Sequence, residues 1–366
     1  MQRTPLYEAH RAAGGRLVDF AGWDMPMQYS GVVDEYYAVR RAAGVFDVSH
    51  MGRMIVRGDD ALALLQYVTT NDVAKLGVLE SQYSMVCNPA GGIKDDIFVY
   101  RLEADEYWLC VNASNRVKIL DWLLTQGAGR AVEVLDQSSA MAQLALQGPR
   151  SQEILERLGV AALSTLKPRR CLHVKISGIQ LVVTRTGYTG ELGYELYVPA
   201  GDVTTIWHGL LQVGKELGLK PAGLGARDLL RLDMAYLLYG NDISEETTLV
   251  EAGAEWIVSM DKGEFVGREA LVAQQRQGCS RRLIAFELHE KAVPRHGCRI
   301  LASPDAAQIG EVTSGNLSPI LQKGIGLGYV PSAVTEPGTR LLIDIRGKHV
   351  PAGVVKPPFY RRKAQR

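Results

Sequence analysis

The sequence predicts an α+β fold with a β-rich C-terminal domain. Strand and helix signals alternate irregularly and often come as hairpins, which favours α+β over a doubly wound parallel sheet. After about residue 277 helical periodicity nearly disappears, and short apolar runs separated by Gly or Pro predict a barrel or sandwich there: Leu283–Leu288, Ile309–Thr313, Ile325–Val330 and Leu341–Ile345. With 366 residues, two or three domains are expected.

Two segments have the apolar spacing of amphipathic helices. One begins at the cap Ser114 and runs to Gly127, and the other begins after Asp202 as N-cap and ends at Gly218. Two hairpins are also predicted. The first joins 81–88 to 93–102 through a Pro-Ala-Gly-Gly turn, and the second joins 180–186 to 195–198 across a Gly-rich connection.

Composition limits the classes of partner and compartment. The 41 basic and 40 acidic residues give a net charge of +1, which provides no long-range field for nucleic acid or an anionic membrane. The five cysteines are scattered without a Cys-x-x-Cys pair, as in a reducing cytoplasm. No signal peptide or run of about 20 apolar residues is apparent, so we expect a soluble, cytoplasmic protein.

Several common cofactor motifs are missing from the sequence. There is no P-loop and no Gly-x-Ser-x-Gly elbow, and Gly223-Leu-Gly225 lacks the third glycine of a dinucleotide fingerprint. The seven histidines do not have metal-ligand spacing. We therefore expect no metal, flavin or nucleotide cofactor, and catalysis that rests on carboxylates, Arg and Tyr.

Asp95 and Asp96 lie on the second arm of the first hairpin among apolar neighbours. Strand alternation places Asp96 on the face of Phe98 and Asp95 on the opposite face. Because Asp is a poor strand former and both faces are apolar, at least one carboxylate is expected in a partly dry setting, as functional acids often are. The alternative is an aspartate that binds the amides of the adjacent glycine turn.

Two further charged residues stand in unusual contexts. Three glycines at every third position before Glu195 predict a loop at which the backbone approaches a ligand or turns sharply. Glu195 could accept two hydrogen bonds from a ring edge such as the amino-pyrimidinone of a pterin, or it is a solvated loop glutamate. Arg227, in the first turn of a helix, opposes the helix dipole, which indicates anion binding or an ion pair with Asp228 or another carboxylate.

In their order and spacing, these segments resemble the T protein of the glycine cleavage system along nearly the whole chain. The matching segments include Thr4-Pro-Leu-Tyr, Val18-Asp-Phe-Ala-Gly-Trp23, Gly44-Val-Phe-Asp-Val-Ser-His-Met51, Gly91-Gly-Ile-Lys-Asp-Asp96, Arg185-Thr-Gly-Tyr-Thr-Gly-Glu191, Gly223-Leu-Gly-Ala-Arg-Asp228 and Thr313-Ser-Gly-Asn316. The resemblance implies a three-domain cloverleaf fold around a central folate site. We expect folate-binding domain 1 over 1–51 with 140–226, folate-binding domain 2 over 52–139 with 227–276, and a β-barrel or jelly-roll-like domain over 277–366.

The resemblance also implies a reaction, an aminomethyl transfer from the lipoyl arm of H protein to tetrahydrofolate that releases ammonia. It implies that Asp96 is the catalytic carboxylate, that Glu195 binds the pterin and that Arg227 binds folate. The remaining implied folate-pocket residues are Tyr83, Tyr100, Tyr188 and Met51, with Asn112 as a further candidate. For Asp95, Glu191 and Asp228 a structural role is preferred, and the basic end at 361–363 is not assigned to the site.

Relatives of the same superfamily supply the alternatives. The non-catalytic folate-binding proteins of iron–sulfur cluster assembly have a signature cysteine where this chain has Glu264, which counts against that role. Folate-coupled demethylating oxidases carry a flavin domain for which this chain has no fingerprint. A folate-dependent transferase with another amine donor remains open. Leu317 replaces a Phe usual in the family, which alters a loop of the third domain.

Overall fold

A computed structural model of the chain describes residues 1–305 and 307–362; Lys363, at the basic end, lies outside them. Contacts divide the chain into two compact units. The first unit comprises Met1–Ser84 and Asp95–Asp228, and the second comprises Met85–Lys94 and Leu229–Arg366. Among the described residues, no helix is long and apolar enough to cross a membrane.

The helices are α1 (Tyr7–Ala12), α2 (Val32–Arg41), α3 (Ala61–Val68), α4 (Arg116–Gly127), α5 (Ser151–Arg157), α6 (Val203–Gly214), α7 (Leu224–Asp233) and α8 (Arg268–Gln277). Short 3-10 turns cover Val73–Lys75, Ala113–Asn115, Lys215–Leu217, Glu255–Ile257, Met260–Lys262 and Ser332–Val334. Both predicted amphipathic helices are therefore confirmed as α4 and α6, but Ser114 lies in the 3-10 turn before α4, and Asp202 precedes α6 without a side-chain cap bond. After α6, the 3-10 turn Lys215–Leu217 ends at Gly218, whose φ of +77° is the left-handed conformation that glycine adopts without strain.

The strands are β1 (Arg16–Phe20), β2 (Trp23–Gln28), β3 (Ala43–Asp47), β4 (Gly52–Arg57), β5 (Glu80–Cys87), β6 (Ile93–Arg101), β7 (Glu106–Val111), β8 (Glu133–Asp136), β9 (Met141–Gln147), β10 (Cys171–Ile176), β11 (Ile179–Thr184), β12 (Gly193–Pro199), β13 (Leu219–Pro221), β14 (Arg281–Leu288), β15 (Arg299–Leu301), β16 (Gln308–Ser318), β17 (Lys323–Pro331), β18 (Arg340–Ile345) and β19 (Lys348–Val355). The C-terminal strands enclose each of the four predicted runs.

A six-stranded sheet in the first unit has the order β10-β11-β12-β9-β3-β13. Its core is apolar and includes Trp207 of α6 and Tyr194 of β12, both buried with strand residues such as Leu144. The β11–β12 hairpin confirms the predicted pairing and places Glu195 opposite Thr184. This register sets the position of one predicted site residue.

A five-stranded sheet has the order β5-β6-β7-β4-β8, and its β5–β6 hairpin confirms the other prediction. The side-chain oxygen of Asn88 accepts hydrogen bonds from the backbone N–H groups of Ala90, at 3.0 Å, and Gly92, at 2.9 Å. Asn88, and neither aspartate, therefore satisfies these turn amides. The expected alternative role for Asp95 and Asp96 as turn-binding residues is wrong.

The strands of the C-terminal segment form a closed barrel in the order β14-β17-β16-β15-β18-β19. Phe286, Ile300 and Ile343 are fully buried in its apolar interior. This confirms the α+β class with a C-terminal β-barrel. We retain the three-domain division of the sequence stated above as a proposal, because the strands of each sheet and of the barrel fall within one of its ranges.

Candidate active site

The two adjacent aspartates of β6 have different environments. Asp95 is fully buried on the face of Ile97 and Val99, whereas Asp96 is half-buried on the face of Phe98. The alternation of a β-strand causes this difference, since neighbouring side chains point to opposite sides of the sheet. One carboxylate is therefore inside the fold, and its neighbour can meet a ligand.

Asp95 is held by three N–H donors. The Asn112 backbone donates to its Oδ2 at 3.0 Å, and the side-chain amides of Asn112 and Asn115 donate to its Oδ1 at 2.8 and 2.6 Å. Asn112 follows β7 and precedes the 3-10 turn that contains Asn115. The end of one strand thus supplies every hydrogen bond described for this buried carboxylate.

Asp96 is fixed at both carboxylate oxygens. The hydroxyl of Tyr83 donates to Oδ2 at 2.8 Å, and the side-chain amide of Asn112 donates to Oδ1 at 2.7 Å. The same amide nitrogen binds Asp95, so Asn112 bridges the two carboxylates with its two N–H groups.

The neighbouring charges shift the pKa values of two groups around this bridge. Burial, followed by the charge of Asp96, raises the pKa of Asp95, and the bonds from Asn112 and Asn115 oppose that rise. Burial and the charge of Asp96 also hold the pKa of Tyr83 well above its usual range. Tyr83 is consequently a neutral hydrogen-bond donor to Asp96 at neutral pH.

A series of aromatic rings begins at Tyr83 of β5, continues along β6 and ends at Tyr197 of β12, in the six-stranded sheet. The ring centroids of Tyr83 and Phe98 are 5.6 Å apart, those of Phe98 and Tyr100 are 5.9 Å apart, and those of Tyr100 and Tyr197 are 5.5 Å apart. Met51 is half-buried against the same cluster. Tyr100 and Tyr197 are buried, so the half-buried Tyr83, Phe98 and Met51 form the accessible edge of an apolar wall of the kind on which a flat ring can stack.

Glu195 is a buried carboxylate of β12, with 9% exposure. Thr186 donates its hydroxyl to one carboxylate oxygen at 2.5 Å, and the amide of Gln143 reaches the other at 3.5 Å. Burial raises the pKa of Glu195, while the Thr186 bond and the charge of Arg227 oppose that rise. The alternative of a solvated loop glutamate is therefore wrong.

Arg227, the fourth residue of α7, has its guanidinium carbon 4.7 Å from the ring centroid of Tyr188. Within residues 1–305 and 307–362, no carboxylate lies within ion-pair distance of this guanidinium. The described residues thus do not show the expected alternative, a pairing with Asp228 or another carboxylate. The guanidinium of Arg227 can therefore interact with an anionic or electron-rich ligand.

All eight residues predicted for the site lie in the first unit and are linked to one another. The charge of Tyr188 raises the pKa of Tyr83, and the charge of Glu195 raises the pKa of Tyr100, so these groups are close enough to interact electrostatically. The connected set is Asp96, Asn112, Tyr83, Tyr100, Met51, Glu195, Arg227 and Tyr188.

The glycines of the loop before Glu195 leave room for a protein side chain, whereas we expected them to let the backbone approach a ligand. A Cβ at Gly187 would lie 2.0 Å from the Gln147 side-chain oxygen, and one at Gly193 would lie 2.3 Å from the amide of Gln147. These two glycines therefore make room for a buried side chain, whereas Gly190, with φ +79°, makes the expected sharp turn. The loop packed in this way carries Tyr188.

Sequence reasoning missed two polar residues near the site. The side-chain amide of Asn115 donates to Asp95, and the residue type of Asn115 gave no signal. His50 is 3% exposed, packs edge-on against Phe20, and its Nδ1 has no hydrogen-bond partner in the described part of the chain. Burial lowers the pKa of His50 to about 3, so the ring is neutral. The sequence feature that could have pointed to His50 is its position next to Met51, which was predicted to line the pocket.

The described residues contain no cluster of three or more His, Cys, Asp or Glu side chains arranged to bind a metal ion. The site instead consists of a bridged pair of carboxylates, a set of tyrosines, a buried glutamate and an arginine that stacks on a tyrosine ring. This arrangement can bind a flat, partly anionic molecule and stabilise positive charge that develops beside Asp96.

Comparisons with known proteins agree with the fold. Residues 6–262 match the family model described as the GCVT N-terminal domain, and residues 281–361 match the glycine cleavage T-protein C-terminal barrel domain. The chain belongs to the glycine cleavage T-protein family.

Relatives that match this chain over their full length are named aminomethyltransferases. The chain is 47% identical to an aminomethyltransferase of Symbiobacterium thermophilum, covering 100% of this chain and 99% of the relative, and 45% identical to one of Halothermothrix orenii, covering 98% and 100%. A crystal structure of glycine cleavage system aminomethyltransferase T from Bartonella henselae matches with a TM-score of 0.93 at 33% identity, over 99% of both chains. The chain is thus a transferase of the aminomethyltransferase class, and the iron–sulfur assembly alternative is not favoured.

Proposed function

We propose that this enzyme moves the methylene carbon from the aminomethyl group on the lipoyl arm of H protein to tetrahydrofolate. The bond between carbon and the amine nitrogen breaks, as does the bond between carbon and lipoyl sulfur. Two bonds form from the carbon to the folate nitrogens N5 and N10. Their two protons leave with ammonia and the lipoyl thiol, so methylene-tetrahydrofolate is formed without an oxidant or reductant.

The observation that carries the proposal is the immobilised, half-exposed carboxylate of Asp96. Both of its oxygens are held, one by Tyr83 and one by Asn112, and a wall of aromatic rings begins beside it. A carboxylate that is already oriented stabilises an iminium-like carbon and polarises an attacking N–H without reorganising. We assign this catalytic role to Asp96.

Tetrahydrofolate is proposed as co-substrate, bound by the remaining residues of the set. The buried carboxylate of Glu195 accepts hydrogen bonds from the amino-pyrimidinone edge, and Arg227 and Tyr188 bind the adjoining part of the molecule. Tyr83, Tyr100 and Met51 provide the apolar wall, and Asn112 lines the pocket beside Asp96.

The proposed macromolecular partner is the lipoylated H protein, which presents the aminomethyl group. A cytoplasmic setting is part of the proposal, supported by five cysteines that are all free thiols. Neither a nucleic acid nor a membrane is required as a partner.

The direct test is reconstitution with aminomethyl-loaded, lipoylated H protein. Ammonia and methylene-tetrahydrofolate are measured with and without tetrahydrofolate, for the wild type and for Asp96→Asn. We expect folate-dependent release from the wild type and a loss of at least about tenfold in turnover for the variant, with folate binding retained. Asp121→Asn, an exposed aspartate on α4, is the matched control.

Two results would contradict the proposal in different ways. Folate binding without folate-dependent ammonia release would favour a transferase with another amine donor, or a binding protein without activity. Near-normal turnover of Asp96→Asn would remove this carboxylate from the mechanism while leaving the reaction in place.

A further inference from the structure

A continuous series of hydrogen bonds connects the interior of the first unit to the proposed catalytic carboxylate. Asn115 donates to Asp95 at 2.6 Å, the Asn112 amide donates to Asp95 at 2.8 Å and to Asp96 at 2.7 Å, and Tyr83 donates to Asp96 at 2.8 Å. Asp95 and Asn115 are 0% and 3% exposed. Neither residue can touch a ligand from its position.

We infer that Asp95, with Asn112 and Asn115, is a positioning unit for Asp96 and supplies a second carboxylate to the same electrostatic site. This inference rests on the proposed function, in which Asp96 faces the reacting carbon. Asp95 is a positioning residue in this scheme, since it acts on the reaction only through Asn112 and through its charge.

The geometry explains the need for Asp95. An asparagine side chain at the end of a strand has several rotamers, and only one directs its amide to Asp96. Asp95 accepts from both the backbone and the side-chain N–H of Asn112, which selects that rotamer. Asn115 in turn holds Asp95 Oδ1, and because Asp95 and Asn115 are buried, few alternative partners compete for this carboxylate.

The charge of Asp95 adds a second effect. The two carboxylates share one amide nitrogen, so their oxygens are close, and ionisation of one disfavours ionisation of the other. The pair should consequently lose its protons in two separate steps. Full ionisation places two negative charges beside a cationic reacting carbon.

Further titratable and charged groups face the pair from neighbouring elements. Tyr83 on β5 is the titratable neighbour of both carboxylates, and Tyr188 lies beyond it. The basic residues nearest in sequence already have partners: Arg116 pairs with Asp136 at 2.7 Å, and Lys94 pairs with Glu245 at 3.1 Å. A pH effect on turnover that depends on position 95 therefore reports the carboxylate pair.

The experiment measures kcat and KM against pH in the reconstituted reaction, together with the folate Kd, for the wild type, Asp95→Asn and Asn115→Ala. We expect kcat of Asp95→Asn to fall by about tenfold, with folate KM and Kd changed less than about twofold. The upper of two ionisations in the wild-type kcat profile should be absent from Asp95→Asn. In Asn115→Ala it should move to higher pH, because a donor to the charged form has been removed.

Controls separate these effects from a loss of folded protein and from failure of the proposed function. Asp121→Asn should match the wild type throughout, and thermal unfolding reports the folded fraction of each variant. If the wild type carries out folate-dependent transfer but Asp95→Asn keeps its kcat and both ionisations, the positioning unit is wrong. A loss of kcat with an unchanged pH profile, in proportion to lost folded protein, also overturns it. A wild type without transfer would refute the proposed function itself.

Discussion

The guanidinium of Arg227 lies over the ring of Tyr188, with its central carbon 4.7 Å from the ring centroid. Tyr188 belongs to the loop whose glycines enclose Gln147, so the packing of that loop determines where the ring can support the cation. A planar cation over an aromatic face has a defined orientation as well as a charge. Its shape should therefore matter for folate binding.

Arg227→Lys is expected to weaken folate binding by about tenfold, equivalent to about 1.4 kcal/mol, although the positive charge is retained. An ammonium lacks the planar fork and stacks less well on Tyr188. Titration calorimetry with tetrahydrofolate measures the change. Arg57→Lys is the matched control, since Arg57 forms an exposed pair with Glu133. Equal affinities for wild type and Arg227→Lys would show that charge alone is recognised.

Glu195→Gln should change stability and binding in opposite directions. Because burial raises the pKa of Glu195, the folded state binds a proton more tightly than the unfolded chain does. The wild type therefore loses stability as pH rises from about 4.3, the ordinary glutamate value, through the raised folded pKa. The glutamine variant lacks this loss, so its Tm should exceed that of the wild type at pH 7 but not at pH 4.

Folate affinity of the same variant should fall by about tenfold at pH 7, because an amide replaces a charged acceptor. Thermal scans across this pH range and calorimetry at pH 7 provide the two readouts. Glu103→Gln, at an exposed position, should change neither. A Glu195→Gln protein that binds folate normally would remove Glu195 from recognition, and an unchanged pH dependence of Tm would contradict its buried charge.

Tyr83→Phe tests the second support of Asp96. The ring that packs 5.6 Å from Phe98 is kept, and only the donor to Asp96 is removed. We expect kcat to fall by about tenfold, consistent with about 1.5–3 kcal/mol for a hydrogen bond to a charged group, with little change in folate Kd. The acid limb of the kcat profile should move to higher pH, since the lost bond favoured the carboxylate. An unshifted limb with normal kcat would rule out this support.

Asp47 should be essential for stability. It accepts hydrogen bonds from Thr4 at 2.6 Å, His10 at 2.9 Å and the Ser49 backbone at 2.8 Å. Burial alone would raise the pKa of Asp47, but these bonds, led by His10, hold it at about 2. A lowered pKa stabilises the fold above the unfolded value of about 3.9, and this contribution is lost as pH falls towards 2.

Asp47→Asn is therefore expected to reduce the free energy of unfolding by about 3–5 kcal/mol at pH 7. The difference from the wild type should shrink as pH falls below 3.9. Urea unfolding at pH 7 and at pH 3 measures both values, with Asp121→Asn as the exposed control. A difference that stays constant between the two pH values would mean that the charge of Asp47 contributes nothing.

The sequence alone predicted the elements that place the site. Period-two alternation placed Asp95 and Asp96 on opposite faces, and the turn residues defined both hairpins, because these signals lie within a few neighbouring residues. The barrel was predicted from the loss of helical periodicity after residue 277. The members of the site itself came from resemblance to a family and not from such local patterns.

Contacts between side chains that are far apart in the sequence could not be predicted from the sequence. The Asn115 amide meets Asp95 from 20 positions away, and Gln147 fills the space left by Gly187 from another strand. The surroundings of Arg227 were equally hidden, since an adjacent Asp228 suggests an ion pair that the described residues do not show, whereas the charge of Arg227 acts on the distant Glu195. These relationships depend on how strands and loops pack, and no nearby residue pattern encodes them.

The strand register of β6 gives the β5–β6 turn an importance beyond its own residues. If the chain between Asn88 and Asp95 lost or gained one residue, every later side chain of β6 would exchange faces. Asp96 would then point to the interior face, on which Asn112 and Asn115 now bind Asp95. Asp95 would point to the other face, at a different position along the strand from the one that Asp96 now occupies. Deletions or insertions of two residues in this turn should thus be tolerated better than those of one residue, so the length of the turn limits how this enzyme can be redesigned.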